Sequence, residues 1–348
     1  MNASRQYPPA EEEDHPPPGP YDGEPSEGDL WFLPPDPEEE DPALPPWHRR
    51  PVRSAVEPAL WEAAQAALSY DLATLTYDRG RLDERARHMG DGARERLAAA
   101  EALALGWGTG DRVGADRLAL WRAFRIGAPG DTAEALARTA WAARRLSAPP
   151  GRGLTEHLGP DPRLDTLPEE VEAELAGIAA LHPVVKGCAA YHLWQGLDER
   201  PWPLRRAEAA VIGARIAAEG QGTSLAFLPL ALAGPSALVA NGPVERRLAR
   251  WVEAAHQSVL VALLTLDRLM DWRARATEAI ADLSGRTPPR LLDTFLRHPM
   301  VSVPLAARET GSSRAAAQRN IDTFAQRGLV REVTGHARFR VWALADQG

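Results

Sequence analysis

Residues 290–344 read RLLDTFLRHPMVSVPLAARETGSSRAAAQRNIDTFAQRGLVREVTGHARFRVWAL, and they decide how the chain is understood. Three short helical patterns are followed by two β-rich runs. The middle pattern, Val303 to Thr310, is a short positioning helix, and Gly311 supplies the turn after it. Ser312 or Ser313 caps the next helix, expected over Arg314 to Arg327 and ended by Gly328. Leu329 to Val333 and Arg338 to Trp342 then form a hairpin through Thr334-Gly335-His336-Ala337, with Gly335 making the tight turn. A helix-turn-helix followed by such a wing is an arrangement for binding double-stranded DNA.

Helical spacing selects the side chains that would meet the duplex. Ala317, Ile321 and Phe324 fall at i, i+4 and i+7, so they face the core of the small domain. The face left over near the helix N-terminus carries Ser313, Arg314 and Gln318, with Arg319 on its flank. The first turns of a recognition helix reach base edges. Gln318 suits bidentate pairing with adenine, and Arg314 or Arg319 suits guanine or a phosphate. In the wing, Arg331, His336, Arg338 and Arg340 are candidates for phosphate or minor-groove contacts. Charge points the same way: residues 286–348 hold ten arginines against five acidic residues, a net of +5 in a chain whose total is −8. The alternative for the same charges is a solvated domain that contacts protein.

The chain of 348 residues is long enough for two domains and a tail. It is 44% hydrophobic and 25% charged, with no apolar run long enough to span a bilayer. Its acidic, proline-rich start is unlike a signal peptide. A single cysteine, Cys188, excludes an intramolecular disulfide framework and fits a reducing cytoplasm. Lys186 is the only lysine; with the abundance of alanine, this fits a high-GC coding bias.

Residues 1–51 form a block of their own. They contain fourteen of the 31 prolines and thirteen acidic residues against three arginines, a net of −10. Such a segment cannot bury enough apolar surface to fold alone and is expected to be a disordered acidic arm. Within it, Asp29-Leu30-Trp31-Phe32-Leu33-Pro34-Pro35 is either a strap that docks on the folded body or a short motif for a protein partner. In the second case the acidic flanks would shield the basic DNA-binding face.

Residues 52–285 read as helices throughout. Val56 to Tyr77 carries Leu60, Trp61, Ala64, Leu68 and Leu72 at helical spacing, and Arg79 to Gly90 and Ala93 to Leu105 follow. Gly106-Trp107-Gly108-Thr109-Gly110 interrupts as a loop; without a preceding strand it is no dinucleotide fingerprint. Helices are expected over Asp116 to Ile126, Thr132 to Leu146, Glu169 to His182, Val184 to Leu197 and Leu204 to Glu219. The Pro- and Gly-rich stretch around 148–167 is the best internal boundary. Val244 to Leu283 is the longest helix, its buried stripe marked by Leu248, Trp251, Val252, Ala255, Val259, Leu263, Leu266 and Met270. His182, Cys188 and His192 could form a metal trio, but no second cysteine or carboxylate completes a tetrahedral set, so no metal or cofactor is expected.

The long helix followed by Leu291-Leu292-Asp293 and HPMVSVPLAARETGSS…GLVREVTGHARFRVWAL resembles the C-terminal half of bacterial Fic-type proteins. More closely, it is similar to a bacterial family with a Fic-like helical body and a helix-turn-helix tail. The resemblance is strongest over 244–344. In Fic enzymes the transfer loop reads His-Pro-Phe-x-Asp-Gly-Asn-Gly-Arg, with histidine as base, an acidic residue on magnesium, and glycines and arginine on phosphates. The corresponding place here runs from His192 to Arg206, and it has neither that histidine nor the Gly-Asn-Gly nest. Asp198 and Glu199 could hold a cation and Arg205 or Arg206 an anion, but Pro201 and Pro203 remove amide donors that a phosphate cradle needs. The resemblance therefore implies a Fic-like scaffold without catalysis. What remains is a ligand pocket around Trp194, Asp198, Trp202 and Arg205, against the alternative that these tryptophans simply pack helices.

The expectation is thus a mainly α protein with an acidic arm over 1–51, an all-helical body over 52–285 and a winged helix over 286–348. It would act as a cytoplasmic bacterial DNA-binding regulator, and as a homodimer, because one winged helix covers few base pairs. The rivals are a Fic-derived enzyme with an altered nucleotidyl or phosphoryl transfer site, and a non-catalytic adaptor.

Overall fold

A computed structural model describes residues 56–124, 133–151, 153–159, 166–220, 222, 224–334 and 340–345. The acidic arm with Trp31 and Phe32, and the wing tip at 335–339 with His336 and Arg338, lie outside the described residues.

The expected helices are found with shifted boundaries, and one short helix at Leu154–Leu158 is added inside the stretch read as a linker. The helix expected from Val56 to Tyr77 is two, α1 (Pro58–Ala67) and α2 (Ser69–Met89), because the backbone leaves helical geometry at Leu68 (φ −105°, ψ 18°). Next comes α3 (Asp91–Gly108). It runs through Gly106 and Gly108, which sequence alone places in a loop. A side chain at Gly108 would meet Leu238 Cδ1 at 2.6 Å, so the glycine answers a close approach. Then follow α4 (Ala115–Phe124), α5 (Ala133–Ser147), α6 (Leu154–Leu158), α7 (Leu167–Ala176), α8 (Pro183–Leu197), α9 (Trp202–Ile216), a 3-10 turn at Pro235–Leu238 and α10 (Val244–Ala279).

The body is organised by two contacts. Helices α8 and α9 cross where Gly187 faces Gly213; a Cβ at Gly187 would lie 2.4 Å from the Gly213 carbonyl oxygen, so only glycine lets the backbones come this near. The 36-residue α10, about 54 Å long, is the second, with α1, α2, α8 and the 3-10 turn against it. Its expected stripe is buried from Leu248 to Leu266. Met270 is a correction: it is 37% exposed, and Leu269, Trp272 and Ala276 continue the stripe instead. From Leu266, steps of three and of four residues both fit a period of 3.6, so packing selects Leu269 over Met270.

Two buried charges tie loops to helices. Arg215 of α9 is 2% exposed and donates to the carbonyls of Arg145 (2.6 Å) and Pro149 (2.7 Å), which fixes the end of α5 at the stretch read as an internal boundary. Glu101 of α3 is fully buried and accepts from the amides of Leu230 (2.8 Å) and Ala231 (2.9 Å). Burial pushes its carboxyl up to about 7.

The C-terminal elements are α11 (Thr287–Arg297), β1 (Val301–Ser302), α12 (Val303–Thr310), α13 (Arg314–Gln326), β2 (Val330–Glu332) and β3 (Val341–Leu344). The expected hairpin is β2 with β3, in the register Val330↔Leu344 and Glu332↔Trp342. A third strand joins it: β1 pairs antiparallel with β3, giving the order β1-β3-β2. The apolar core runs unbroken across residue 286, because Phe295, Ile321, Phe324 and Trp342 belong to the same cluster as Trp272 of α10. Trp272 Nε1 donates to the Leu329 carbonyl at 2.9 Å, Arg96 Nη1 donates to the carbonyls of Phe295 (2.9 Å) and His298 (3.0 Å), and Arg327 pairs with Asp282. Among the described residues no helix is long and apolar enough to cross a membrane.

Candidate nucleic-acid interface

The two helices of the motif are set by local capping. Ser302 Oγ accepts from the Leu305 amide and starts α12, and Gly311 ends it in the left-handed region at φ 65°, where an L-residue is disfavoured. Of the two candidate caps for α13, Ser313 is the one whose Oγ accepts from Ala316 N, at 3.2 Å. Ser312 Oγ instead lies 2.8 Å from Thr310 Oγ1 and stiffens the turn. Ala317, Ile321 and Phe324 are fully buried, and Phe324 stacks on Phe295 of α11 with ring centroids 6.2 Å apart.

That burial fixes which face of α13 looks outward. Ser313, Arg314 and Arg319 are exposed, and Gln318 is half-buried among them. Gln318 Nε2 donates to Asp322 Oδ1 at 2.7 Å. Its other N–H and its carbonyl oxygen remain for a base, the two groups adenine pairing uses. Asp322 thus orients the side chain, a role that sequence reasoning missed although its i,i+4 spacing to Gln318 was visible.

In the wing, Arg331 is exposed on β2. Arg340 is not a free cation: its Nε donates to Glu332 Oε2 at 2.8 Å, and its guanidinium lies over the Trp342 ring at 4.9 Å. This hydrogen bond holds the Glu332 carboxyl below, and the Arg340 guanidinium above, its ordinary range. Glu332 is the second residue the sequence reading missed. The pair is diagonal across two strands whose register the sequence does not print.

The four residues read as a pocket have unlike surroundings. Trp194 is fully buried in the core, whereas Trp202 is 43% exposed with Arg206 stacked on it at 4.9 Å. Asp198 is buried and takes a bidentate grip from Arg200 (Nε–Oδ1 2.9 Å, Nη2–Oδ2 2.7 Å), which also pairs with Glu208. Arg205 Nη1 donates to the Asp198 carbonyl at 3.1 Å. A carboxylate bound so fully to arginine is not a ready cation ligand. Of the other titratable candidates, His182 caps α8 by accepting from Val184 N, His192 is pushed down to about 3 by burial, and burial pushes the Cys188 thiol up.

The fold and this outward face define a winged helix-turn-helix of the kind that binds DNA. A sequence-family profile described as an HTH DNA binding domain matches residues 288–345, from α11 to the end of β3. A comparison with curated proteins finds no match to the chain.

Proposed function

We propose that the protein is a DNA-binding regulator of transcription whose C-terminal winged helix reads duplex DNA while the helical body acts as a non-catalytic, Fic-like scaffold. The carrying observation is α13: its apolar face is buried, and Ser313, Arg314, Gln318 and Arg319 point away from the core at its N-terminal half. The occupied Asp198 speaks against a magnesium-dependent transfer at the loop between α8 and α9. Two copies on two half-sites would supply the footprint that one domain lacks.

The test is a mobility-shift titration of the full chain on random-sequence duplex, followed by selection of bound fragments from genomic DNA. Binding that weakens steeply with salt, with recovery of a common paired motif, is the expected result. Absence of any shift at low salt overturns the reading. Transfer of label from ATP in the presence of magnesium would return the protein to the enzymes.

A further inference from the structure

A cavity of about 220 Å³ lies between the body and the reading domain, lined from α3 and α4 on one side and from residues 298–308 and Val341 on the other. Leu118 in its lining belongs to a small apolar cluster around α4 and α5 that is separate from the main core. The lining is divided. Leu118 and Val341 are buried and apolar, while Arg122 and Arg308 are exposed.

The polar groups have unequal partners. Arg308 stands 3.3 Å from Glu309, and Glu309 and Glu95 are both within ion-pair reach of Arg297. Among the described residues no carboxylate comes within ion-pair distance of Arg122; Glu95 acts on it only from farther away, and Arg144 and Arg308 add positive potential. His298 also lines the cavity, and its Nε2 is buried without a hydrogen-bond partner. An unpartnered buried nitrogen costs stability unless something pairs with it.

We propose that this cavity is an effector site for a small carboxylate with an apolar body, its head held by Arg122 and His298 and its body against Leu118, Leu305 and Val341. The site lies outside the four residues that sequence alone grouped as a pocket. Leu305 belongs to the positioning helix and Val341 to the central strand of the wing sheet, so occupancy acts directly on the reading elements. The regulatory meaning rests on the DNA-binding reading above; the site itself does not.

Calorimetric titration of the full chain without DNA, using benzoate and hexanoate as probes and benzyl alcohol and hexanol as uncharged counterparts, tests it. The carboxylates bind at one site, the alcohols bind at least tenfold more weakly, and Arg122→Gln weakens the carboxylates by about tenfold or more, the size of one charge-assisted bond. Ala119→Trp, which fills the cavity, abolishes binding. Should that variant unfold, the exposed Arg122→Gln decides alone. Carboxylates that fail to bind at 10 mM (about the weakest contact worth the name), alcohols that bind equally, or an indifferent Arg122→Gln overturn the proposal. Repeating the DNA titration with bound carboxylate shifts affinity by the same factor that DNA shifts the carboxylate's. Carboxylate binding without any DNA binding leaves the site standing and removes the regulator; DNA binding without carboxylate binding does the reverse.

Discussion

Replacing Glu332 by glutamine should strengthen DNA binding, by an amount the geometry sets. In the folded chain Glu332 holds Arg340 at 2.8 Å, so the wing presents a neutral pair where sequence promised a cation. Removing the carboxylate leaves a guanidinium still positioned over Trp342. One more cation at the phosphates steepens the dependence of log K on log salt by about 0.9. That is a gain of about fivefold at 0.15 M salt and about fifteenfold at 0.05 M by the same relation. The pair is partly exposed, so its loss costs the fold under about 1 kcal/mol and leaves melting nearly unchanged. Arg340→Ala should act oppositely, because it leaves Glu332 unpaired beside the phosphates. The double variant, again neutral, should return close to wild type. Fluorescence anisotropy on a random duplex at four or five salt concentrations gives all three slopes. If Glu332→Gln keeps the wild-type slope, or if Arg340→Ala binds as tightly as wild type, the wing does not face DNA and the assignment is wrong.

Gln318→Ala should lower discrimination at one base pair by about 1–3 kcal/mol while sparing non-specific binding; a uniform loss across sequences would make the side chain structural. The buried Glu101 makes stability depend on pH. Its carboxyl titrates at about 7 folded against an ordinary 4.5, so between those values the folded state keeps a proton that the unfolded state has released. Stability therefore falls as pH rises through this window, by about 3 kcal/mol in full, and urea denaturation of Glu101→Gln between pH 5 and 8 should lack that loss; parallel wild-type and variant curves would show that Glu101 is not its source. Gly187→Ala should lower stability by about 1–3 kcal/mol despite alanine's better helix propensity, since its Cβ meets the Gly213 carbonyl; an increase in melting temperature would contradict the tight crossing. Deleting residues 1–51, with their net charge of −10, should raise non-specific DNA affinity most at low salt, whereas aggregation on deletion would mark the arm as a structural strap.

Much of the reading domain was legible because its information is local. Capping serine, terminating glycine and a three-residue apolar stripe are neighbours in sequence, so Val303–Thr310, Gly311 and the start of α13 at Arg314 could be placed from residue order alone. The long α10 was visible for the same reason. Its stripe drifted from Met270 to Leu269 because the packing partner, not the period, decides which of two adjacent apolar residues turns inward. What the sequence could not carry were contacts between distant residues: strand β1 on β3, the Gly187–Gly213 crossing, and Arg340 held by Glu332. The same holds for the candidate site. Arg314, Gln318 and Arg319 follow from one helix and its buried face, whereas Arg122 and His298 come together only when α4 and the start of the reading domain are folded against each other. Helical periodicity and capping are written in neighbouring residues, so the sequence determined them. Close approach, strand register and the environment of a charge depend on which surfaces meet, and only the tertiary structure decided those.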